Sequence, residues 1–327
     1  MSNNFPISFL RITEENEEQR IDNFLKKKFK KTPKSIIYKI LRTGQVRINK
    51  MRVKPKYKLK IGDHIRIPPL KKTYQIKKGI PPNSKLYSLL SDNILYEDDC
   101  LLVLNKPSGL AVHSGSGIKF GVIEYLRILK NINTYFDLVH RLDRETSGVL
   151  IIAKKRSVLR DLHKQLRERK IIKKYLALVH GQWPKHLTCI SAPLLKVISK
   201  YDHVVTINHI HGKTSKTFFK IQEIYDNNTL MLITPKTGRT HQIRAHAKYA
   251  NHPIVLDKKY GKANLDNIIN NNLSINRILL HSTSVNFFHP IKQEFINVIA
   301  PLDIAFKKVL NNLKKNVSNT RNIVKTL

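Results

Sequence analysis

The stretch Val139-His140-Arg141-Leu142-Asp143-Arg144-Glu145-Thr146-Ser147-Gly148-Val149-Leu150-Ile151-Ile152-Ala153 decides how this chain is read. It ends in an apolar run rich in β-branched residues, Val149 to Ala153, the pattern of a strand buried on both faces. Ahead of the run stand four charged residues, Arg141, Asp143, Arg144 and Glu145. Ser147-Gly148 reads as a turn pair. One carboxylate, Asp143, therefore lies between two arginines on a loop that feeds a core strand. A guanidinium nearby favours the ionised carboxylate. Such a group on a rigid scaffold can act as a nucleophile or a base. Taken alone, an aspartate among arginines is more often a structural salt bridge, so spacing leaves both roles open.

The rest of the chain narrows the setting. Its 327 residues suffice for a full core and more than one domain, and 41% apolar content fits a globular protein. The formal net charge of +37 favours a polyanionic partner, nucleic acid first and an anionic membrane second. Abundant Lys, Asn and Ile suggest AT-rich coding, so part of the lysine load is solvated decoration. Two distant cysteines, Cys100 and Cys189, form neither a zinc set nor a disulfide framework, and a reducing cytoplasm is the expected compartment. The N-terminal apolar run is too short for a signal peptide and lacks a basic lead. No stretch approaches the roughly 20 apolar residues of a membrane span.

Residues 1–15 read as an irregular lead-in. From Arg20 to Lys72 there are 19 Lys or Arg against 2 Asp. Within that stretch Ile21, Phe24, Leu25 and Phe29 form a helical stripe, and Ile36, Ile37, Ile40 and Leu41 a second. Thr32-Pro33 starts the second helix and Gly44 ends it. Val46 and Ile48, then Ile65 and Ile67 after Gly62-Asp63, alternate as short strands. Residues 73–90, with Pro81-Pro82 and Asn83-Ser84, read as a linker between domains free to move. Beyond it, Leu101 to Asn105 is a buried strand, followed by a turn at Lys106-Pro107-Ser108-Gly109. Ser157 caps a helix running to about Lys170, with Leu159, Leu162 and Leu166 buried. Lys173 to Val179 is a strand, and 216–225 and 230–234 form a hairpin. Thr240 caps a helix to about Ala250. Residues 262–276 read as a loose Asn-rich loop, Arg277 to His281 as the last core strand, and 312–327 as a basic, frayed tail. His209 and His211 would share a strand face, but without carboxylate or thiol company they make a poor metal pair. His241 and His246, five apart, do not share a helix face.

The wording of four segments goes further than their spacing. His140-Arg141-Leu142-Asp143-Arg144-Glu145-Thr146-Ser147-Gly148 closely resembles the central motif of the RNA pseudouridine synthases of the RluA type, which act on ribosomal RNA and some tRNA. That resemblance implies Asp143 as the catalytic nucleophile. Lys174-Tyr175-Leu176-Ala177-Leu178-Val179-His180-Gly181 is similar to the family's second signature, which places Tyr175 against the target base as a proton acceptor. Gly238-Arg239-Thr240-His241-Gln242-Ile243-Arg244-Ala245-His246 is similar to its third, which pairs Arg244 with the catalytic aspartate. Asn105-Lys106-Pro107 with Gly109 resembles the first motif, whose role is to support the active loop from behind. The basic module resembles an S4 domain, an RNA-binding unit, with phosphate contacts expected from Lys34, Lys39, Arg42, Arg47 and Lys50.

The implied architecture is α+β. A mixed, largely antiparallel β-sheet catalytic domain flanked by helices spans 91–311, and a small N-terminal α/β S4 domain spans 16–72. The implied reaction breaks the base–sugar bond of a uridine, turns the uracil and rejoins it through C5. No electrons are exchanged, so no redox cofactor, metal or nucleotide is expected. The base must be flipped from its stack. Arg144 is the expected wedge, Arg141 an RNA contact, and Leu279 with Leu280 a pocket wall. The arrangement Arg20-Ile21-Asp22-Asn23-Phe24-Leu25, the run Pro33 to Tyr38 and Glu145 resemble the branch that modifies large-subunit (23S) ribosomal RNA. A monomer without an obligate protein partner is expected. Two other readings stand beside this one. A non-enzymatic ribosome-assembly protein would not need Asp143, Tyr175 and Arg244 intact. A metal-dependent nuclease would need a carboxylate cluster and would be sensitive to chelators.

Overall fold

Two helices of the basic module form where the apolar stripes place them, at Ile21–Lys28 and Lys34–Arg42. In this computed structural model their inner faces, Ile21, Leu25, Ile37, Ile40 and Leu41, are buried against Val46, Ile48, Leu59, Ile65 and Ile67. The structure describes residues 4–5, 7–29, 32, 34–71, 84–114, 120–129, 135–198 and 203–325. The chain divides into a small N-terminal unit ending at Ser84 and a large unit after it.

In the small unit an antiparallel sheet runs in the order Ser8–Arg11, His64–Ile67, Arg47–Ile48, Met51–Arg52. The expected irregular lead-in thus contributes a strand. Gly44 closes the second helix with φ of +68°, a conformation that favours glycine. Asp22, 1% exposed, ties the two helices together: the Tyr38 hydroxyl donates to it at 2.8 Å and Arg20 donates twice. Burial opposes its charge, but Tyr38 and Arg20 outweigh burial and leave the carboxyl below its ordinary range.

In the large unit one ten-stranded sheet carries the core. Its order is Cys189–Ser191, Lys216–Ile224, Asn228–Pro235, Ile172–His180, Leu280–Phe288, Ser147–Ala153, Leu101–Lys106, Ile94–Glu97. Phe295–Ile299 also pairs with Leu280–Phe288, and Asp137–Leu138 with Ser147–Ala153. All of these pairings are antiparallel except that between Ser147–Ala153 and Leu280–Phe288. Every residue of Ser147–Ala153 is buried, as its unbroken apolar run required. Leu150 and Ile152 pack on one face with Tyr175, Ala177 and Leu280. Val149 and Ile151 pack on the other with Leu159 and Leu162 of the helix Arg156–Arg167.

The reading of Ser147-Gly148 as a turn fails, since both belong to the strand, and the reason lies at Gly148. It lies inside the strand at φ of +104°, and a Cβ on it would collide with the backbone of Ser282. Glycine is needed because the parallel neighbour passes so close. Other differences have a common cause. The expected linker ends in a helix, Ser84–Ser91, whose Leu90 is buried in the main core. The expected loose loop holds the helix Ala263–Leu273, and the expected tail continues the helix Ile304–Lys325. Their low local propensity is outweighed by packing: Ile269 and Leu273 lie against a cluster containing Phe306 and Val309. His209 and His211 sit in a turn after the strand His203–Ile207, not on a strand face. No helix among the described residues is long and apolar enough to cross a membrane.

Candidate active site

The loop from Val139 to Thr146 is held in place from beneath. Lys106 is fully buried, and its ammonium donates to three carbonyls: Pro107 at 2.8 Å, Leu110 at 2.8 Å and Arg144 at 3.0 Å. Burial pushes it down to about 7; the three acceptors suit the charged form, since a neutral amine offers only two N–H groups. The Ser108 hydroxyl donates to the Glu145 carbonyl at 2.6 Å, and the Gly109 amide to the Arg144 carbonyl at 3.0 Å. The first motif therefore fixes the backbone just after Asp143, at Arg144 and Glu145.

A second element arrives from the far side. The helix Gln242–Tyr249 begins after His241, which occupies the left-handed region at φ of +49°. Thr240 is thus not the cap. Gln242, buried, donates to the Lys216 carbonyl and Thr217 and accepts from Thr237 and the Arg239 amide. That network sets the start of the helix and aims Arg244 inward. His246 is fully buried on Thr217 and the Ala192 carbonyl, a structural role.

Asp143 and Arg244, 101 residues apart, meet at 3.2 Å from Nη1 to Oδ2. The stronger hold on Arg244 comes from Asp257, which the sequence reading passed over. Arg244 donates Nε and Nη2 to Asp257 at 2.8 and 2.7 Å, and the Asp257 side chain is 0% exposed. Asp257 also accepts from the Lys259 and Tyr260 amides. The Tyr260 ring lies against the guanidinium, 5.0 Å from its carbon. Burial works against the charge of Arg244, but Asp257 and then Asp143 outweigh it and hold the group protonated, above its ordinary value. His241 was also missed. The Val205 amide donates to the Tyr260 hydroxyl, and that hydroxyl shares a hydrogen bond with His241 Nδ1 at 2.9 Å. This turns Nε2 toward Asp143 Oδ2, 3.7 Å away. A carboxylate after Ile254-Val255-Leu256 has no local signal of its role; only the fold shows it.

Asp143 opens onto a cavity of about 510 Å³. Tyr175 and Leu280 line it, and burial pushes the Tyr175 hydroxyl up to about 12. Seven basic side chains, among them Arg141, Lys173, Arg239 and Arg244, surround the single lining acid, Asp143. The arrangement can seat a planar base and an adjoining phosphate around one carboxylate.

The other expected site residues are placed as follows. Arg144 does not line the cavity; it is exposed, and its Nε donates to the Gly109 carbonyl at 3.0 Å. Leu279 is not a wall. It is fully buried on the opposite face with Val255 and Phe306, and its neighbour Leu280 faces the cavity, because successive strand residues alternate sides. On the small unit Lys39, Arg42, Arg47 and Lys50 are exposed, while the side chain of Lys34 lies outside the described residues. Among the described residues no group of three or more His, Cys, Asp or Glu is placed to hold a metal ion.

Residues 100–249 match the family of RNA pseudouridylate synthases, and residues 19–65 match the S4 domain. The chain belongs to the RNA pseudouridine synthases, isomerases of uridine in RNA, and carries an S4 domain at its N-terminal end. It is 57% identical to ribosomal large subunit pseudouridine synthase C of Buchnera aphidicola subsp. Baizongia pistaciae, over 96% of this chain and 100% of that one. It is 48% identical to the protein of the same name from Escherichia coli strain K12, over 94% and 97%. Among solved structures, human RNA pseudouridylate synthase domain containing 1 shares the fold with a TM-score of 0.55 at 25% identity, covering 72% of this chain and 98% of that one.

Proposed function

We propose that this enzyme converts specific uridines of large-subunit ribosomal RNA to pseudouridine, with Asp143 as nucleophile on a flipped-out uridine. The observation that carries the reading is the meeting of Asp143 and Arg244 in a basic cavity lined by Tyr175. The names of the full-length relatives support the choice of RNA. Flipping costs a few kcal/mol of lost stacking, which phosphate contacts to the basic rim offset. Arg144, exposed beside Asp143, fills the vacated stack. An Asp143 oxygen bonds to C1′ of the sugar as the N1–C1′ bond breaks. The freed uracil turns over the Tyr175 ring, C5 bonds to C1′, and Asp143 leaves. The C5 proton is then lost and N1 gains one, so substrate and product are isomers. A hydroxyl held up near 12 stays protonated at neutral pH, so Tyr175 takes the C5 proton on its oxygen only as it hands its own hydroxyl proton on to uracil N1. The reading requires no cofactor or metal, and a monomer working in the cytoplasm suffices.

Mapping pseudouridine in large-subunit rRNA from cells with and without the protein tests the assignment. Positions that vanish in its absence support it; an unchanged map removes it. Two expectations are more local. Tyr175→Phe should lower kcat about 100-fold with KM little changed, read as tritium release from RNA carrying 5-tritiated uridine. Wild-type release would take the hydroxyl out of the proton step. Replacing Lys39, Arg42, Arg47 and Lys50 by alanine should flatten the fall of RNA affinity with salt, by roughly 0.7–0.9 in log–log slope per lost phosphate contact. An identical slope would remove that face from RNA binding.

A further inference from the structure

The sheet does not end at the cavity. The strand Leu280–Phe288 runs on past it, flanked by Ile172–His180 on one side and Phe295–Ile299 on the other. Cross-strand partners share a face. One face of this ribbon, with Val285, Phe287 and Val298, is buried in the core. The other is open: Phe288 pairs with Phe295, and Ser284 with Ile299. Asn286 sits between Asn297 and Ile172, and Lys174 lies opposite Ser284. The large side chains here stay in solvent, with Phe295 71%, Ile299 64% and Ile172 45% exposed. The two phenylalanine rings meet edge to face at 5.3 Å. Isolated exposed apolar residues need no account, but a contiguous aromatic and aliphatic face does.

We infer that this face is a stacking platform for unpaired nucleotides of the substrate RNA beside the target uridine. The inference rests on the reading of the cavity as the uridine site and extends it outward. Three observations select RNA over an apolar protein partner. The face is continuous with the cavity, since Ile172 belongs to both. From Ile172, Phe288 is one strand over and two residues along, roughly 8 Å, so a base next to the flipped uridine can reach the rings. The apolar side chains are interleaved with Asn286, Asn297 and Lys174, donors and acceptors for base edges and an ammonium for a phosphate. Exposed rings on a sheet, flanked by amides and lysine, are the chemistry that binds single-stranded RNA.

The test uses the full-length enzyme and a large-subunit rRNA fragment with unpaired nucleotides around its uridine. Phe295→Leu keeps an apolar side chain without a ring; Phe295→Tyr keeps the ring. The expected result is a KM about tenfold higher for Phe295→Leu, the loss of one stacked base, with kcat unchanged and Phe295→Tyr like wild type. Pairing the flanking nucleotides to a complementary strand should erase the difference. Equal KM values for wild type and Phe295→Leu on the unpaired fragment overturn the platform and leave the isomerase reading standing. Absence of turnover by the wild type instead strikes at that reading. The platform is then decided by fluorescence of 2-aminopurine beside the uridine: quenching weakened in Phe295→Leu and kept in Phe295→Tyr supports it, and equal quenching in all three overturns it. Self-association of the wild type that Phe295→Leu abolishes, with RNA binding intact, would assign the face to a second copy and overturn it too.

Discussion

Asp143→Asn should lower kcat by at least about 10⁴-fold while the fold survives. Asparagine has the shape of aspartate, but its amide cannot form the bond to C1′. The structure limits the collateral damage. Asp143 is 27% exposed and makes one contact with Arg244, whereas Arg244 keeps its two bonds to Asp257. No guanidinium is stranded, so the stability change should stay below about 1 kcal/mol. Single-turnover assays with thermal melting of the same preparation separate the two effects. Retained turnover at wild-type rate removes the nucleophile.

Arg244→Met has a different signature, with stability and activity lost together. It leaves the Asp257 carboxylate at 0% exposure with the amides of Lys259 and Tyr260 as its remaining donors among the described residues. An uncompensated buried charge costs about 3–5 kcal/mol, visible as a lower urea midpoint. Asp143 also loses its guanidinium, so kcat should fall along with the midpoint. Arg244→Lys should not restore either, because one ammonium cannot bridge two carboxylates in a plane. Asp257→Ala tests the anchor from the other end. Arg244 then keeps Asp143 as its carboxylate partner, with the Tyr260 ring beside it, and kcat should fall about 100-fold although Asp143 is untouched. An unchanged urea midpoint and wild-type turnover in Arg244→Met would refute the claim that this arginine orients the site.

The parts legible in the sequence are those whose physics is local. An unbroken apolar run makes a buried strand wherever it lies, and Ser147–Ala153 is one. Apolar stripes at helical spacing made the helices Ile21–Lys28 and Lys34–Arg42 readable. Resemblance of wording brought Asp143, Tyr175 and Arg244 into one site before any coordinates. Positions set by single-residue register were harder: Leu279 and Leu280 look alike in sequence, and only the pleat decides which of them meets the cavity. The Asn-rich segment at 262–276 looked structureless because isolated propensity is weak. In the fold, Asp266 accepts from the Leu256 amide at 2.6 Å and bonds to the His180 ring at 2.8 Å, and the helix Ala263–Leu273 forms around it.

By itself, then, the sequence determined the strand that follows the candidate nucleophile, the basic helical module and the family to which both belong. Each is written in runs of some ten residues, where side-chain period and turn chemistry act between neighbours. Tertiary structure alone decided that Asp257 anchors Arg244, that Gly148 serves close strand approach, and that an aromatic face extends from the cavity. Those depend on groups brought together from distant parts of the chain, and no local pattern encodes a partner that only folding supplies.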